Sequence, residues 1–293
     1  MDIQTEFRKL LGRRPKTSHK GDYGRVFVLA GSRGLSGACY LTSMAILRSG
    51  AGLVTVGVPK SLATPLARRF TEAMTLPLLE TSEGTLNSSA FNPIRRFLKG
   101  QDILTIGPGL SLNAKTQTLI RKLVRHSDKP MVLDADGLNA FEGKTSLLRG
   151  VKSPMILTPH AGEFVRLFGG KTPKTDDERK KRALEVAKKY EVILVLKGHH
   201  TVVASPQGKI YLNKTGNPGM ATGGSGDILA GVIAAMLAQK IKPFQAACFG
   251  VFIHGLAGDL AAEVKGEISL VAGDILNALP LAFQKILRHN KSR

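Results

Sequence analysis

From residue 25 onward, short β-branched runs alternate with stretches of helical period, and this alternation constrains the fold more than any other feature of the chain. Residues 25–30 (RVFVLA), 53–58, 102–106, 131–133, 155–157 and 192–197 read as strands. Residues 38–49, 114–125 and 175–190 read as helices, and Thr175 with Glu178 forms a capping box at the start of the last. Residues 201–204 and 209–212 flank Ser205-Pro206-Gln207-Gly208 and predict a hairpin. From residue 224 the pattern is nearly all helical, with breaks expected near Lys242-Pro243, Gly266 and Pro280. Such alternation calls for an α/β fold, a mostly parallel central sheet with helices on both faces. No linker, internal repeat or low-complexity tract divides the chain. One domain over residues 1–293 is expected, with basic tails at 1–13 and 288–293.

The chain has 293 residues, 43% of them hydrophobic, enough for a large core. Its two cysteines, Cys39 and Cys248, lie in apolar helical contexts and read as buried thiols, which favours a reducing, cytoplasmic setting. Residues 1–20 are polar and basic, unlike a signal peptide. No run approaches the ~20 uninterrupted apolar residues of a membrane helix. The net charge of +20 raises nucleic-acid binding as a possibility, but Lys and Arg are spread along the chain. With aromatics at 5% and no Trp, stacking platforms for single strands are poor. The basic surface suits either small polyanions such as nucleotides or simple solubility.

In parallel α/β sheets ligands bind beyond the carboxyl ends of the strands. The loops there are Gly31-Ser32-Arg33-Gly34-Leu35-Ser36-Gly37, Gly107-Pro108-Gly109-Leu110, Asp134-Ala135-Asp136-Gly137, Thr158-Pro159-His160-Ala161-Gly162-Glu163 and Lys197-Gly198-His199-His200. The richest chemistry follows the hairpin, in NPGMATGGSGDILAG, which begins at Asn217. Glycines there let several amides point into one small volume, and the helix that follows adds its own unpaired N–H groups and dipole. Such a place binds phosphate oxygens. Asp227 at its rim can take a proton from an attacking hydroxyl, or can serve only as a helix cap. At a helix start its carboxyl is expected to stay ionised. No P-loop Gly-Lys-Ser/Thr and no Gly-x-Ser-x-Gly elbow occurs.

Other residues carry paired readings. Lys197 can reach a phosphate or be a solvated strand end, and Gly198 admits close backbone approach. His160 and Glu163 share a helix face, where hydrogen bonding to a ligand fits better than zinc and Glu163 can also serve the helix N-terminus. Asp134 and Asp136 can hold Mg²⁺ through water, or be a strand-end turn and a helix cap. His254 reads as a core histidine, and His199 and His200 as hairpin surface.

Taken together, His19-Lys20-Gly21 with Tyr23-Gly24, the loops above, Leu47-Arg48-Ser49-Gly50-Ala51-Gly52, Leu196-Lys197-Gly198-His199-His200-Thr201 and Thr222-Gly223-Gly224-Ser225-Gly226-Asp227 resemble the ADP/ATP-dependent NAD(P)H-hydrate dehydratases of the ribokinase-like superfamily. The resemblance runs over residues 14–287 and implies a ribokinase-like fold. It implies phosphorylation of the ring hydroxyl of hydrated NADH or NADPH (NADHX, NADPHX), then loss of phosphate. In this resemblance Asp227 is the base, and Gly224, Ser225 and Gly226 stabilise the moving phosphoryl group. Ala38, Gly109, His160 and Asp227 contact the hydrated dinucleotide. Lys197, Gly198, His199, His200, Thr201, Asn217, Gly219, Thr222, Gly223 and Gly226 line the ADP or ATP site. Mg²⁺ bridges phosphates, and a homotetramer is implied. The chain starts close to the kinase-like region, so the epimerase fused to it in many bacteria is expected on another protein. Ser111 stands where the family usually has glycine, and its Cβ restricts a positive φ. A ribokinase-like kinase of a hydroxymethylpyrimidine or thiazole alcohol, and a basic nucleic-acid-binding protein, are the competing readings.

Overall fold

The computed structural model describes residues 3–12 and 14–288. The strands are β1 (Arg25–Leu29), β2 (Leu53–Pro59), β3 (Met74–Leu78), β4 (Ile103–Ile106), β5 (Met131–Leu133), β6 (Met155–Leu157), β7 (Ile193–Leu196), β8 (Val202–Ala204) and β9 (Ile210–Leu212). They form one nine-stranded sheet in the order β3-β2-β1-β4-β5-β6-β7-β8-β9. All pairings from β3 to β7 are parallel, and the expected β8–β9 hairpin adds an antiparallel edge.

The helices are α1 (Ile3–Leu10), α2 (Ser36–Arg48), α3 (Lys60–Ala67), α4 (Phe91–Leu98), α5 (Ala114–His126), α6 (Asp136–Asn139), α7 (Ala161–Phe168), α8 (Asp176–Tyr190), α9 (Ser225–Ala238), α10 (Pro243–Lys265) and α11 (Ala272–Arg288). Side-chain alternation along each strand divides the core in two. Val26, Val28, Val54 and Val56 join α9, α10 and α11 on one face. Phe27, Leu29, Leu104 and Ile106 join α4, α5, α7 and α8 on the other. Strands buried on both faces read as continuous apolar runs, which is why the sequence shows them clearly.

Three features differ from expectation. The edge strand β3 was not foreseen: its Met74 is exposed and it contains Pro77, which an edge tolerates. Much of the expected N-terminal basic tail is α1. Phe7 there is fully buried with its ring 4.9 Å from that of Phe249, and Arg8 Nε donates to Ile286 O at 2.8 Å. Helix α11 runs through Pro280 without the expected break. Its buried Ile275, Leu276, Leu279 and Ala282 hold it across the missing hydrogen bond. Residues 289–293 of the expected C-terminal tail lie outside the described residues. Among the described residues α10 is long and apolar enough to cross a membrane by length and composition, yet it packs against α9 and α11 in the core.

Strand order reverses between β1 and β4, since β2 and β3 lie to one side of β1 and β4 to the other. The crevice at that switch point is where the physics of the fold places a ligand.

Candidate active site

At the switch point two glycine loops are tied together. Gly31 N donates to Pro108 O at 2.8 Å, and Ser32 Oγ donates to Gly109 O at 2.8 Å. Gly109 has φ 65°, and a Cβ there would lie 3.0 Å from Ala38 Cβ and 2.9 Å from Leu35 O. The two residues expected to touch one substrate, Ala38 and Gly109, are therefore neighbours. Ser111 does take the left-handed conformation, at φ 77°. Its N–H donates to Asp136 Oδ2 at 2.8 Å and its Oγ accepts from Asn113 N at 3.3 Å, which offset the strain of a Cβ at that φ. Asp136 also accepts from Asn139 Nδ2, whose Oδ1 accepts from Arg166 Nη2 on α7.

Helix α9 begins beside this crevice. Gly224 is its N-cap at φ 90°, and an added Cβ would strike Leu41 Cδ1. Ser225 N donates to Thr222 O, and the first helical bond is Ile228 N to Gly224 O. The amides of Gly226 and Asp227 therefore precede the first intrahelical bond. Gly223 faces open space. Ser225 Oγ lies 3.3 Å from Nε2 of the buried His254, whose pKa burial pushes down to about 4. His254 is thus a neutral core histidine that steadies the cup.

Beneath the cup lies a buried charge cluster. Asp134, 1% exposed, accepts from Lys197 Nζ at 2.6 Å and from Thr158 Oγ1 at 2.8 Å. Lys197 Nζ is also 4.0 Å from Glu163 Oε2. Burial alone would lower the Lys197 pKa, but Asp134 and Glu163 raise it above the ordinary lysine value. So Lys197 is neither a solvated strand end nor a free cation: its ammonium lies 3.3 Å from where a Gly226 Cβ would stand. Glu163 accepts from His160 N at 2.8 Å, and His160 Nδ1 accepts from Gly162 N and Glu163 N at 3.0 and 3.3 Å. With Nδ1 accepting, the neutral ring carries its proton on Nε2 and is a donor. The pair is a capping box. Asp134 and Asp136 likewise accept hydrogen bonds from within the protein. Among the described residues no three His, Cys, Asp or Glu are arranged to hold a metal ion.

Asp227 differs from its neighbours. Among the described residues no hydrogen bond or ion pair reaches its carboxylate. Burial, then Asp134 and Asp136, raise its pKa to about 7, against a partial lowering by Lys197. The expectation that nearby N–H groups keep it ionised is therefore corrected: desolvation and two acids brought in from β5 outweigh the helix start.

The remaining loops line one side of the cup. Arg179 of α8 donates to His199 O at 2.6 Å and Leu196 O at 2.9 Å. Thr201 Oγ1 donates to Gly198 O at 2.9 Å. His199 and His200 stack, and His200 Nδ1 lies 2.8 Å from Asp176 Oδ2, so His200 is turned toward α8. Asp259 of α10 accepts from Gly216 N at 2.9 Å and from Asn217 Nδ2 at 3.0 Å, and Asn217 Oδ1 accepts from Gly219 N at 3.1 Å. Sequence reasoning missed Asp259 and Arg179. Both act from helices on loops in other parts of the chain, and no local pattern marks them.

The NAD(P)H-hydrate dehydratase family (Carb_kinase) matches residues 26–281. The chain belongs to this family. It is 45% identical over 279 residues to the bifunctional NAD(P)H-hydrate repair enzyme Nnr of Moorella thermoacetica, covering 95% of this chain and 53% of that protein. It is 39% identical over 273 residues to the ADP-dependent (S)-NAD(P)H-hydrate dehydratase of Neisseria meningitidis serogroup B, covering 90% and 86%. The chain spans about half the length of its bifunctional relatives in this family. Among solved structures, the ADP/ATP-dependent NAD(P)H-hydrate dehydratase of Bacillus subtilis, co-crystallized with ATP/Mg²⁺, superposes with TM-score 0.80 at 30% identity over 97% of each chain. A ribokinase-like superfamily protein from Enterococcus faecalis gives TM-score 0.82 at 29% identity, covering 97% of this chain and 94% of that one. The family fold here is ribokinase-like, as expected.

Proposed function

We propose that this chain dehydrates the S form of NADHX and NADPHX to NADH and NADPH, using ADP or ATP to phosphorylate the ring hydroxyl and then releasing phosphate. The observation that carries the chemistry is Asp227, an unpartnered carboxylate with a pKa of about 7 beside the free amides that open α9. Such a group is half ionised at neutral pH and is matched to proton abstraction. The Gly224–Gly226 amides suit the charge of a phosphoryl group in flight. His160, as an Nε2–H donor, and the Ala38–Gly109 contact suit the hydrated dinucleotide. Residues 197–201 and Asn217, Gly219, Thr222 and Gly223 suit the ADP or ATP.

Mg²⁺ belongs to the proposal as a companion of the nucleotide phosphates. It keeps most of its waters and accepts phosphate oxygens as ligands. The occupied state of Asp134, Asp136 and Glu163 favours that arrangement over a protein cage. A reducing, cytoplasmic setting is supported by the free thiols of Cys39 and Cys248. A homotetramer and an upstream epimerase are supported by the family resemblance.

Purified protein supplied with S-NADHX, Mg²⁺ and either ADP or ATP should restore the absorbance of reduced nicotinamide and release phosphate in equal amounts. Accumulation of a stable phosphoester on a pyrimidine or thiazole alcohol, with no nicotinamide restored, would replace this reading by the kinase one. Hydroxyethylthiazole kinase from Pyrococcus horikoshii shares the fold at TM-score 0.65 and 16% identity.

A further inference from the structure

We propose that Asp227 acts twice in each turnover, first as base to the substrate hydroxyl and again as base to the adjoining ring carbon. The inference rests on the dehydratase reading. Hydration adds a hydroxyl to one carbon and a hydrogen to its neighbour, so dehydration must remove both. Phosphorylation disposes of the hydroxyl. The proton on the neighbouring carbon still needs an acceptor.

Among the described residues near Asp227, the other acids, the buried imidazole and the thiol already hold hydrogen bonds. Asp134 is paired with Lys197 and Thr158. Asp136 holds Ser111 N and Asn139. Glu163 holds His160 N, and His160 Nδ1 holds two amides. His254 is buried against Ser225. The Cys39 thiol donates to Ser36 O, and burial pushes its pKa up to about 12. Asp227 is left, facing Asp134 and Asp136 from the β5 loop, Lys197 from the end of β7 and Cys39 on α2.

The steps balance with one carboxylate. As the terminal phosphoryl group moves from the nucleotide to the hydroxyl oxygen, Asp227 takes the hydroxyl proton. The carbon–oxygen bond then breaks, the ring nitrogen lone pair forms an iminium, and Asp227 returns its proton to the departing phosphate. Asp227, ionised again, takes the carbon-bound proton. That bond's electron pair becomes the ring double bond, and the iminium electrons return to nitrogen. A carboxyl with a pKa near 7 gives and takes a proton at neutral pH with little cost either way.

The test follows nucleotide cleavage and nicotinamide absorbance separately in single turnovers. The substrate is S-NADHX with both hydrogens of that ring carbon replaced by deuterium, alongside unlabelled S-NADHX. In the wild type, deuterium should slow ring restoration and leave nucleotide cleavage unchanged. In Asp227→Glu, which keeps a carboxylate but moves it, ring restoration should lag nucleotide cleavage by about 10²-fold, the scale of a displaced general base. An unchanged thermal shift on adding ADP establishes that the variant is folded and binds nucleotide. If cleavage and restoration fall by the same factor in Asp227→Glu, with the isotope effect as in the wild type, another acceptor takes the carbon-bound proton and the proposal is overturned. If the wild type restores no nicotinamide with either nucleotide, the dehydratase reading itself fails.

Discussion

Asp227 sits among Asp134, Asp136 and Lys197 with no hydrogen bond of its own, and the result is a carboxyl that prefers its proton. Its folded pKa, about 7, is raised above the ordinary value of 3.8, so folding favours the protonated form. The linked stability is fully present below pH 3.8 and is lost as pH rises through about 7. Asp227→Asn should therefore be more stable than the wild type at pH 8 by about 2–4 kcal/mol, with the difference vanishing near pH 3–4. Urea unfolding across that range measures it. The same variant should keep its thermal shift with ADP while kcat falls roughly 10²–10⁴-fold. Wild-type kcat should decline as pH drops below about 7, where the base becomes protonated. The sequence shows this aspartate as chemically interesting because glycines and a helix start are local signals. Its proton affinity is not local. It depends on Asp134 and Asp136, which only the sheet brings near.

One face of α10 shapes the whole loop that leads into the cup. A Cβ at Gly255 would strike Thr215, one at Gly258 would strike Met220, and Asp259 ties down Gly216 and Asn217. Asp259→Ala would leave those two donors without their acceptor, a loss of about 1–3 kcal/mol in the ordered loop. The expected outcome is a rise of roughly 5- to 100-fold in KM for ADP or ATP, with KM for the hydrated dinucleotide unchanged. Steady-state kinetics with each substrate varied in turn checks it. Equal rises in both would place Asp259 in general stability instead. At this scale the sequence is uneven. The central strands and the Thr175 capping box are plain from β-branched runs and spacing. Strand β3 is not, because a half-exposed edge with Pro77 lacks a clear period. Helix α10 is visible as a helix, but its duty toward the loop lies in contacts between residues more than a strand apart.

Across the molecule, the first helix closes the core under α10 and α11. Phe7→Ala removes a fully buried ring stacked edge-on to Phe249 and should cost about 3–5 kcal/mol, read as a lowered midpoint in chemical denaturation. Composition predicted a tail there because five exposed or half-exposed polar positions hide two buried apolar ones, Ile3 and Phe7. Helix α9 joins this interior to the crevice. Nearly every residue after Asp227 in it is buried, and a Cβ at Gly231 would lie 2.5 Å from Thr42 O of α2. A rod clamped along its length transmits pressure from end to end. The tip that aims Asp227 is therefore sighted by a fully buried stem, and turnover becomes a gauge of how well that interior is fitted together.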